Sequence, residues 1–438
     1  MPAPKKVYFS TSGNDANPGT YASPKRSPQL VNDLSPGDIA LFRGGDVFTP
    51  AAGSKDTTFI TVKTNGVTFD SYPGPERAAN PSFSHTGAKS VVFGVLGNEN
   101  VFQYLDVWNG ESCVALYQTH TGNRIVDCRV QDFGFGIVDK ASNTTIENVY
   151  LARGRMVRDT GAATDAGAQA IVLEHIDKTV HANTILRNLF IEDCNVPSKA
   201  FVLDGAGIEV VGEIEGVLIE GCFMWRLKIG LEFGGVTSRH ETIRNLTFRG
   251  NVVLAPLAYF NPSTDQFYAD LERVAFERNV VANPNAAKSS VYFGGPWGSL
   301  AGRVAFTNNL MTGAAQTYNA SAGTDLASIP RAGNVYGSSN VGMALALNES
   351  VQEIPYVNTA AHDYRLARSI QMPDGTAYTP GAWGVAVPSD DETFSVPTMK
   401  NLFTMSAANR YAGRRCFVGQ NRTLFELQED LDTWLKVS

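Results

Sequence analysis

Four short phrases in the chain end an apolar run on a carboxylate: Gly136-Ile137-Val138-Asp139, Ile171-Val172-Leu173-Glu174, Phe201-Val202-Leu203-Asp204 and Ile229-Gly230-Leu231-Glu232. If each run is a strand, the residue before the acid points inward, and Asp139, Glu174, Asp204 and Glu232 face outward in one column. Parallel strands stack about 4.8 Å apart. Carboxylates that close repel by roughly 1 kcal/mol in water and more in a cleft. Such a column therefore calls for a bridging cation, protons held on some members, or loops that keep the acids apart.

Two chemistries suit it. In hydrolysis of a glycosidic bond, one carboxylic acid protonates the leaving oxygen while a second carboxylate attacks or activates water, at separations of about 5 to 9.5 Å. Adjacent or next-but-one rungs of stacked strands supply these distances, with Asp204 and Glu232 as the first pair and Glu174 as the alternate catalytic acid. In elimination, a base takes the proton α to a uronate carboxylate and a cation stabilises the developing charge. Lys228, Arg226 and Arg239 lie near the column for that purpose, and Asp204 with Glu209 offers hard oxygen ligands for Ca²⁺ if the reaction is elimination; hydrolysis needs no cofactor. Asp139 joins these cations as a substrate-binding candidate. Trp225, Trp297, Tyr259 and Tyr268 fall in or beside inter-rung segments where rings can stack on sugars, and loops at 158–169 and 255–270 would wall a groove.

The column needs a scaffold that repeats, and the sequence has one. An apolar residue, any residue, then Asn, Asp or Gly recurs in Ile125-Val126-Asp127, Ile146-Glu147-Asn148, Leu186-Arg187-Asn188, Ile219-Glu220-Gly221, Ile243-Arg244-Asn245 and Phe306-Thr307-Asn308, with Phe276-Glu277-Arg278-Asn279 as a stretched copy. Successive copies start 21 residues apart at the closest (125 to 146) and 40 at the widest (146 to 186). Short runs rich in Val, Ile, Phe and Thr, broken by Asn, Gly and Asp, fit the turns of a parallel β-helix and not the long 3.6-period stripes of helical solenoids. The fold class is therefore all-β, a β-helical solenoid.

Composition narrows the partners. A net charge of -7 with no Lys/Arg-rich run argues against nucleic acid. No run of about 18 apolar residues offers a membrane span, and the N-terminus has no signal-peptide pattern, which predicts synthesis in the cytoplasm. The five cysteines lack metal-type spacing; Cys128 and Cys222 fall in one rung column and read as buried free thiols. Gly134-Phe135-Gly136 lacks the strand–helix context of a dinucleotide site.

The ends of the solenoid carry a family resemblance. Tyr8 in the strand at 7–10, Ser12-Gly13-Asn14-Asp15, Asn17-Pro18-Gly19-Thr20, Pro36-Gly37-Asp38 and Arg43-Gly44-Gly45 resemble the opening of right-handed parallel β-helix proteins of the pectate-lyase-like superfamily. Tyr356-Val357-Asn358, His362-Asp363-Tyr364-Arg365-Leu366 and Pro380-Gly381-Ala382-Trp383-Gly384 are similar to its far end. Polysaccharide lyases, glycoside hydrolases and phage tailspikes share this fold. The ordered metal, lysine and arginine set of its calcium-dependent lyases is absent, and fold alone does not fix function.

The expected organisation is an N-terminal cap with first rungs (1–84), central rungs (85–320), irregular closing turns (321–388) and a small C-terminal β module (389–438), with a short helix or loop at 406–415 and a hairpin over Cys416–Leu427. That tail resembles modules on phage tail proteins; equally, it fits a capping segment that covers the open edge of the last rung, and the two roles are compatible. The resemblance implies a phage tailspike or tail-fibre protein that binds a bacterial surface polysaccharide, with or without depolymerising it. Such a protein is made in the host cytoplasm and acts outside as part of a virion, as a homotrimer docked through its tail to other virion proteins. A bacterial lyase or hydrolase is the second reading, and a non-catalytic virion or carbohydrate-binding protein the third.

Overall fold

The computed structural model describes residues 4–72, 79–87, 89–162, 166–175, 180–234, 241–261, 269–284, 288–313, 315–346 and 348–358, and beyond these the stretches 363–366, 370–372, 377–378, 393–396, 415–418, 423–427 and 434–436. Three long sheets run through it, of 14, 12 and 10 strands, called here the first, second and third sheets. One rung gives one strand to each: Arg124–Val126 to the first, Arg129–Gln131 to the second and Phe135–Asp139 to the third. Every neighbour within the three stacks is parallel, as in Arg124↔Thr145, Arg129↔Tyr150 and Ile137↔Ile171.

The repeated phrase marks the turn from the first sheet to the second. Asp127, Asn148, Asn188, Gly221, Gly250, Arg278 and Asn308 stand there with φ between 53 and 65°. Asn, Asp and Gly tolerate that left-handed conformation, which is why they recur. One copy was misread. The nine-residue strand Glu241–Arg249 pairs Leu218, Ile219 and Glu220 with Thr247, Phe248 and Arg249, so Phe248-Arg249-Gly250 fills the turn. Ile243-Arg244-Asn245 instead follows Ile214-Glu215-Gly216 in a second, staggered column.

The residue after each turn faces the interior. Cys128, Val149, Leu189 and Cys222 occupy this column, all buried, and both cysteines are free thiols, as are buried Cys113 and Cys194. Asn251, Asn279, Asn309 and Asn334 then continue it as a ladder in which each side-chain oxygen accepts the preceding rung's backbone N–H at 2.9–3.0 Å. Four fully buried amides persist because each finds both backbone and side-chain partners. Elsewhere the core is aromatic and aliphatic, with Phe233, Phe260 and Phe293 stacked at 4.4–4.5 Å on successive rungs.

Rung strands continue past residue 320 through Arg331–Ala332, Val335–Tyr336 and Ser350–Val351. The chain then returns over the outer face of the second sheet, where Ile354, Ile370 and Met372 pack with Trp225, Leu254, Ala282 and Val335. In the tail, Arg415–Val418 and Thr423–Leu427 form the expected hairpin, within a four-stranded sheet with Thr393–Val396 and Trp434–Lys436. Residues 406–414 lie outside the described residues.

Candidate active site

The third sheet carries the acids, and its register changes the sequence alignment. Ile137, Ile171, Ile208 and Leu231 are equivalent, fully buried positions. Small residues precede them: Gly136, Ala170, Gly207 and Gly230. A Cβ on Gly136 would meet the Ala170 carbonyl at 2.4 Å, and one on Gly207 would meet that of Gly230 at 2.8 Å. From these anchors, one and three residues onward point out and two onward point in.

Glu232 is one residue on and faces outward, as expected. Glu174 is three on, in the next outward column, and its carboxylate holds the Lys140 ammonium at 2.8 Å. Asp139 is two on. It pairs in register with Leu173 and is fully buried, so it faces the core and cannot touch a substrate as the sequence reading placed it.

Asp204 is not on the third sheet at all. It ends a hairpin, Val196–Ser198 against Val202–Asp204, inserted before the sheet strand Ala206–Gly212. The residue on the sheet is Glu209, directly in register with Glu232. The sequence reading considered Glu209 only as a calcium ligand. The signal that finds it is the small-residue–Ile pair Gly207-Ile208, which matches Gly136-Ile137 and Ala170-Ile171.

Asp204 nevertheless reaches the site from the hairpin. It is buried, and its Oδ1 accepts from the Lys228 ammonium at 3.0 Å and from the Gly205 N–H at 2.9 Å. Lys228 stands just before Ile229, so the hairpin and the next rung are clamped beside Glu209 and Glu232. With that ammonium on Asp204, the Asp204–Glu209 pair does not fit a Ca²⁺ site. Among the described residues no group of three His, Cys, Asp or Glu is placed to hold a metal ion.

Glu209 and Glu232 are half-buried. Burial, reinforced by the negative charges of Glu232, Glu174 and Asp204 and opposed by Lys228, pushes the Glu209 carboxyl up to about 8. Burial also raises Glu232, but Lys228 and a hydrogen bond from Asn261 Nδ2 to Oε1 at 3.0 Å work against it. Among the described residues Glu209 has no hydrogen-bond or ion-pair partner, so the proton of the pair belongs on Glu209 and the charge on Glu232. Beyond Glu232 the outward column continues as Tyr259 and Tyr292, whose rings stack at 5.3 Å and 5°. Tyr259 therefore lies on a rung strand, Ala258–Phe260, within the stretch read as a loop at 255–270. The other wall, near 158–169, contains the ribbon Met156–Arg158 with Ala166–Gly167.

Three further candidates move away. Arg226 lies on the second sheet, bound to Asp193 at 2.6 Å and Glu192 at 3.3 Å, with its guanidinium 3.9 Å from the Trp225 ring. Trp225 is buried in the apolar cluster under the returning chain, so it is a packing residue and not an exposed sugar platform. Trp297 is also buried, its indole N–H donating to the Gly294 carbonyl at 2.8 Å. Arg239 and Tyr268 lie outside the described residues.

No protein-family model matches the chain, and no curated protein sequence matches it. Solved structures do. A rhamnogalacturonan lyase superposes with a TM-score of 0.51 at 14% identity, covering 81% of this chain and 91% of its own. The tailspike protein of E. coli bacteriophage HK620, solved with a pentasaccharide, gives 0.50 at 11% identity, covering 76% and 67%. At such identities the likeness shows the fold. The chain is thus a right-handed parallel β-helix protein, with the architecture found in polysaccharide lyases and phage tailspikes.

Proposed function

We propose that the outer face of the third sheet binds a neutral polysaccharide and hydrolyses it between Glu209 and Glu232. The observation that carries this reading is their direct register on adjacent rungs, one poised to hold a proton and the other a charge. Adjacent rungs lie about 4.8 Å apart, close to the roughly 5–5.5 Å of retaining glycosidases and short of the 6.5–9.5 Å that leaves room for water. Glu209 donates its proton to the leaving oxygen, Glu232 attacks the anomeric carbon, and Glu209 then takes a proton from the water that releases the sugar.

Electrostatics favours a neutral polymer. Glu174, Glu209, Glu232 and Asp204 face two cations, and both Lys140 and Lys228 are already paired. Among the described residues of this cluster, an incoming uronate would meet surplus negative charge with no uncommitted cation, which disfavours elimination. Asp204 and Lys228 position the pair, and Glu174 sets the field around it. The shared fold and the four-stranded tail support placing this activity in a phage tailspike-type protein, made in the host cytoplasm, acting on a bacterial surface polysaccharide and docked to other virion proteins, with a homotrimer as the proposed assembly.

The test is digestion of two panels, neutral bacterial surface polysaccharides and polyuronates. New reducing ends without ultraviolet-absorbing unsaturated ends, from the neutral panel only, support hydrolysis. Unsaturated products from the polyuronates would replace it with elimination.

A further inference from the structure

The hairpin that delivers Asp204 ends in an unusual surface. Phe201, Val202 and Leu203 are consecutive, apolar and 41, 81 and 40% exposed. Val202 also takes φ = 68°, a left-handed conformation that a β-branched side chain adopts only at a cost. Gly or Asn at this tip would relieve the strain and remove the exposed apolar surface together. Neither residue is present.

The hairpin is held from both sides. Lys199 binds the neighbouring ribbon through its N–H to Asp159 Oδ1 at 2.7 Å and its ammonium to the Asp159 carbonyl at 2.8 Å. At the base, Lys228 holds Asp204, and the same ammonium lies 5.1 Å from the centre of the Phe201 ring. One cation therefore links the ring to Asp204, and the charges of both Lys228 and Asp204 act on Glu209 and Glu232, which places the apolar tip on the same side of the sheet as the acid pair.

We propose that Phe201, Val202 and Leu203 form a subsite for a methyl-bearing neutral sugar unit seated beside Glu209 and Glu232. This rests on the reading of the third-sheet face as a glycan site. An aromatic ring alone suits the C–H face of any pyranose, but the hydroxylated rim of a plain hexose gains nothing from two adjoining branched aliphatic side chains. A methyl group, from a 6-deoxy position or an N-acetyl substituent, does gain. Burying one is worth about a fourfold difference in affinity.

The test is saturation-transfer NMR on the full chain with two matched pairs of free sugars, D-fucose against D-galactose and N-acetyl-D-glucosamine against D-glucose. Methyl protons of at least one pair should saturate above the matched plain sugar, and the pair that responds identifies the source of the methyl. The double variant Phe201→Ala, Leu203→Ala should cut that signal at least about fourfold; both side chains are exposed, and the Lys199 and Lys228 tethers remain. The free monosaccharides carry no bond to be cleaved between units, so loss of the cleavage reading does not touch this result. No methyl saturation in either pair, or equal saturation in the double variant, overturns the proposal. So does self-association that the double variant abolishes without any methyl signal, which would make the tip a subunit contact.

Discussion

Replacing Asp139 by Asn should make stability depend on pH in a way the wild type conceals. Asp139 occupies an inward column between Leu116 and Leu173. Its Oδ1 accepts from the Ala141 N–H at 3.0 Å and the Thr144 hydroxyl at 3.1 Å, and its Oδ2 from the Thr184 hydroxyl at 3.3 Å. His181 Nε2 lies 3.5 Å from Oδ2 and 2.6 Å from the Thr184 Oγ1, and is also fully buried. Burial, only partly offset by these hydrogen bonds, pushes Asp139 up to about 7. Burial, with the charge of His175, pushes His181 down to about 3.

In the unfolded chain these groups titrate near about 3.9 and 6.5. Between about pH 4 and 7 the native state holds a proton on Asp139 that the unfolded state lacks, so this contribution is full below about 4 and is lost as pH rises through 7. At about 1.4 kcal/mol per unit the whole loss is on the order of 4 kcal/mol. His181 works in the opposite direction. The unfolded state protonates it below about 6.5 while the native state does not, so stability falls on acidification toward 3. From about pH 4 to 6.5 the two slopes cancel. Asp139→Asn keeps an acceptor for Ala141 and Thr144 and removes only the carboxyl's titration. Its stability relative to wild type should therefore rise by on the order of 3 kcal/mol between pH 5 and pH 7 and then level off. Urea unfolding of both proteins at pH 5, 6, 7 and 8, followed by tryptophan fluorescence, measures this. A difference that stays constant across pH refutes the reasoning.

Two further outcomes follow from the same geometry. Asn279→Ala removes a link of the buried ladder: the Asn251 N–H and amide lose their acceptor, and the Phe248 carbonyl and Asn309 Oδ1 each lose a donor; urea unfolding should show a loss of roughly 3 kcal/mol or more. Because Glu209 must be protonated to act as the acid, kcat/KM should fall as pH rises through about 8; a pH–rate profile flat to pH 9.5 would remove Glu209 from that role.

The architecture was legible because the turn from the first sheet to the second accepts only a few residue types at positive φ, and those types print a repeat. Register was harder, since a one-residue shift turns a side chain from groove to core. Asp139 and Glu174 share an apolar run followed by an acid, yet stand two and three residues after their anchors, and that parity alone separates a core carboxylate from a surface one. Asp204 was drawn into the column because an inserted hairpin imitates a rung strand. Glu209 escapes a search for acids in the column because its strand runs on through Val210 and Val211, so no acid ends the run. Trp225 illustrates a different limit: a sequence does not say which sheet face a returning chain will cover.

The claim that Glu209 and Glu232 cleave a bound glycan is tested most directly by the two single variants Glu209→Gln and Glu232→Gln, assayed side by side for binding and cleavage of a neutral polysaccharide that the wild type degrades. Each variant should bind as the wild type does while losing at least about a hundredfold in kcat, since each lacks a group that touches the reacting bond. Cleavage at the wild-type rate by either variant would contradict the assignment.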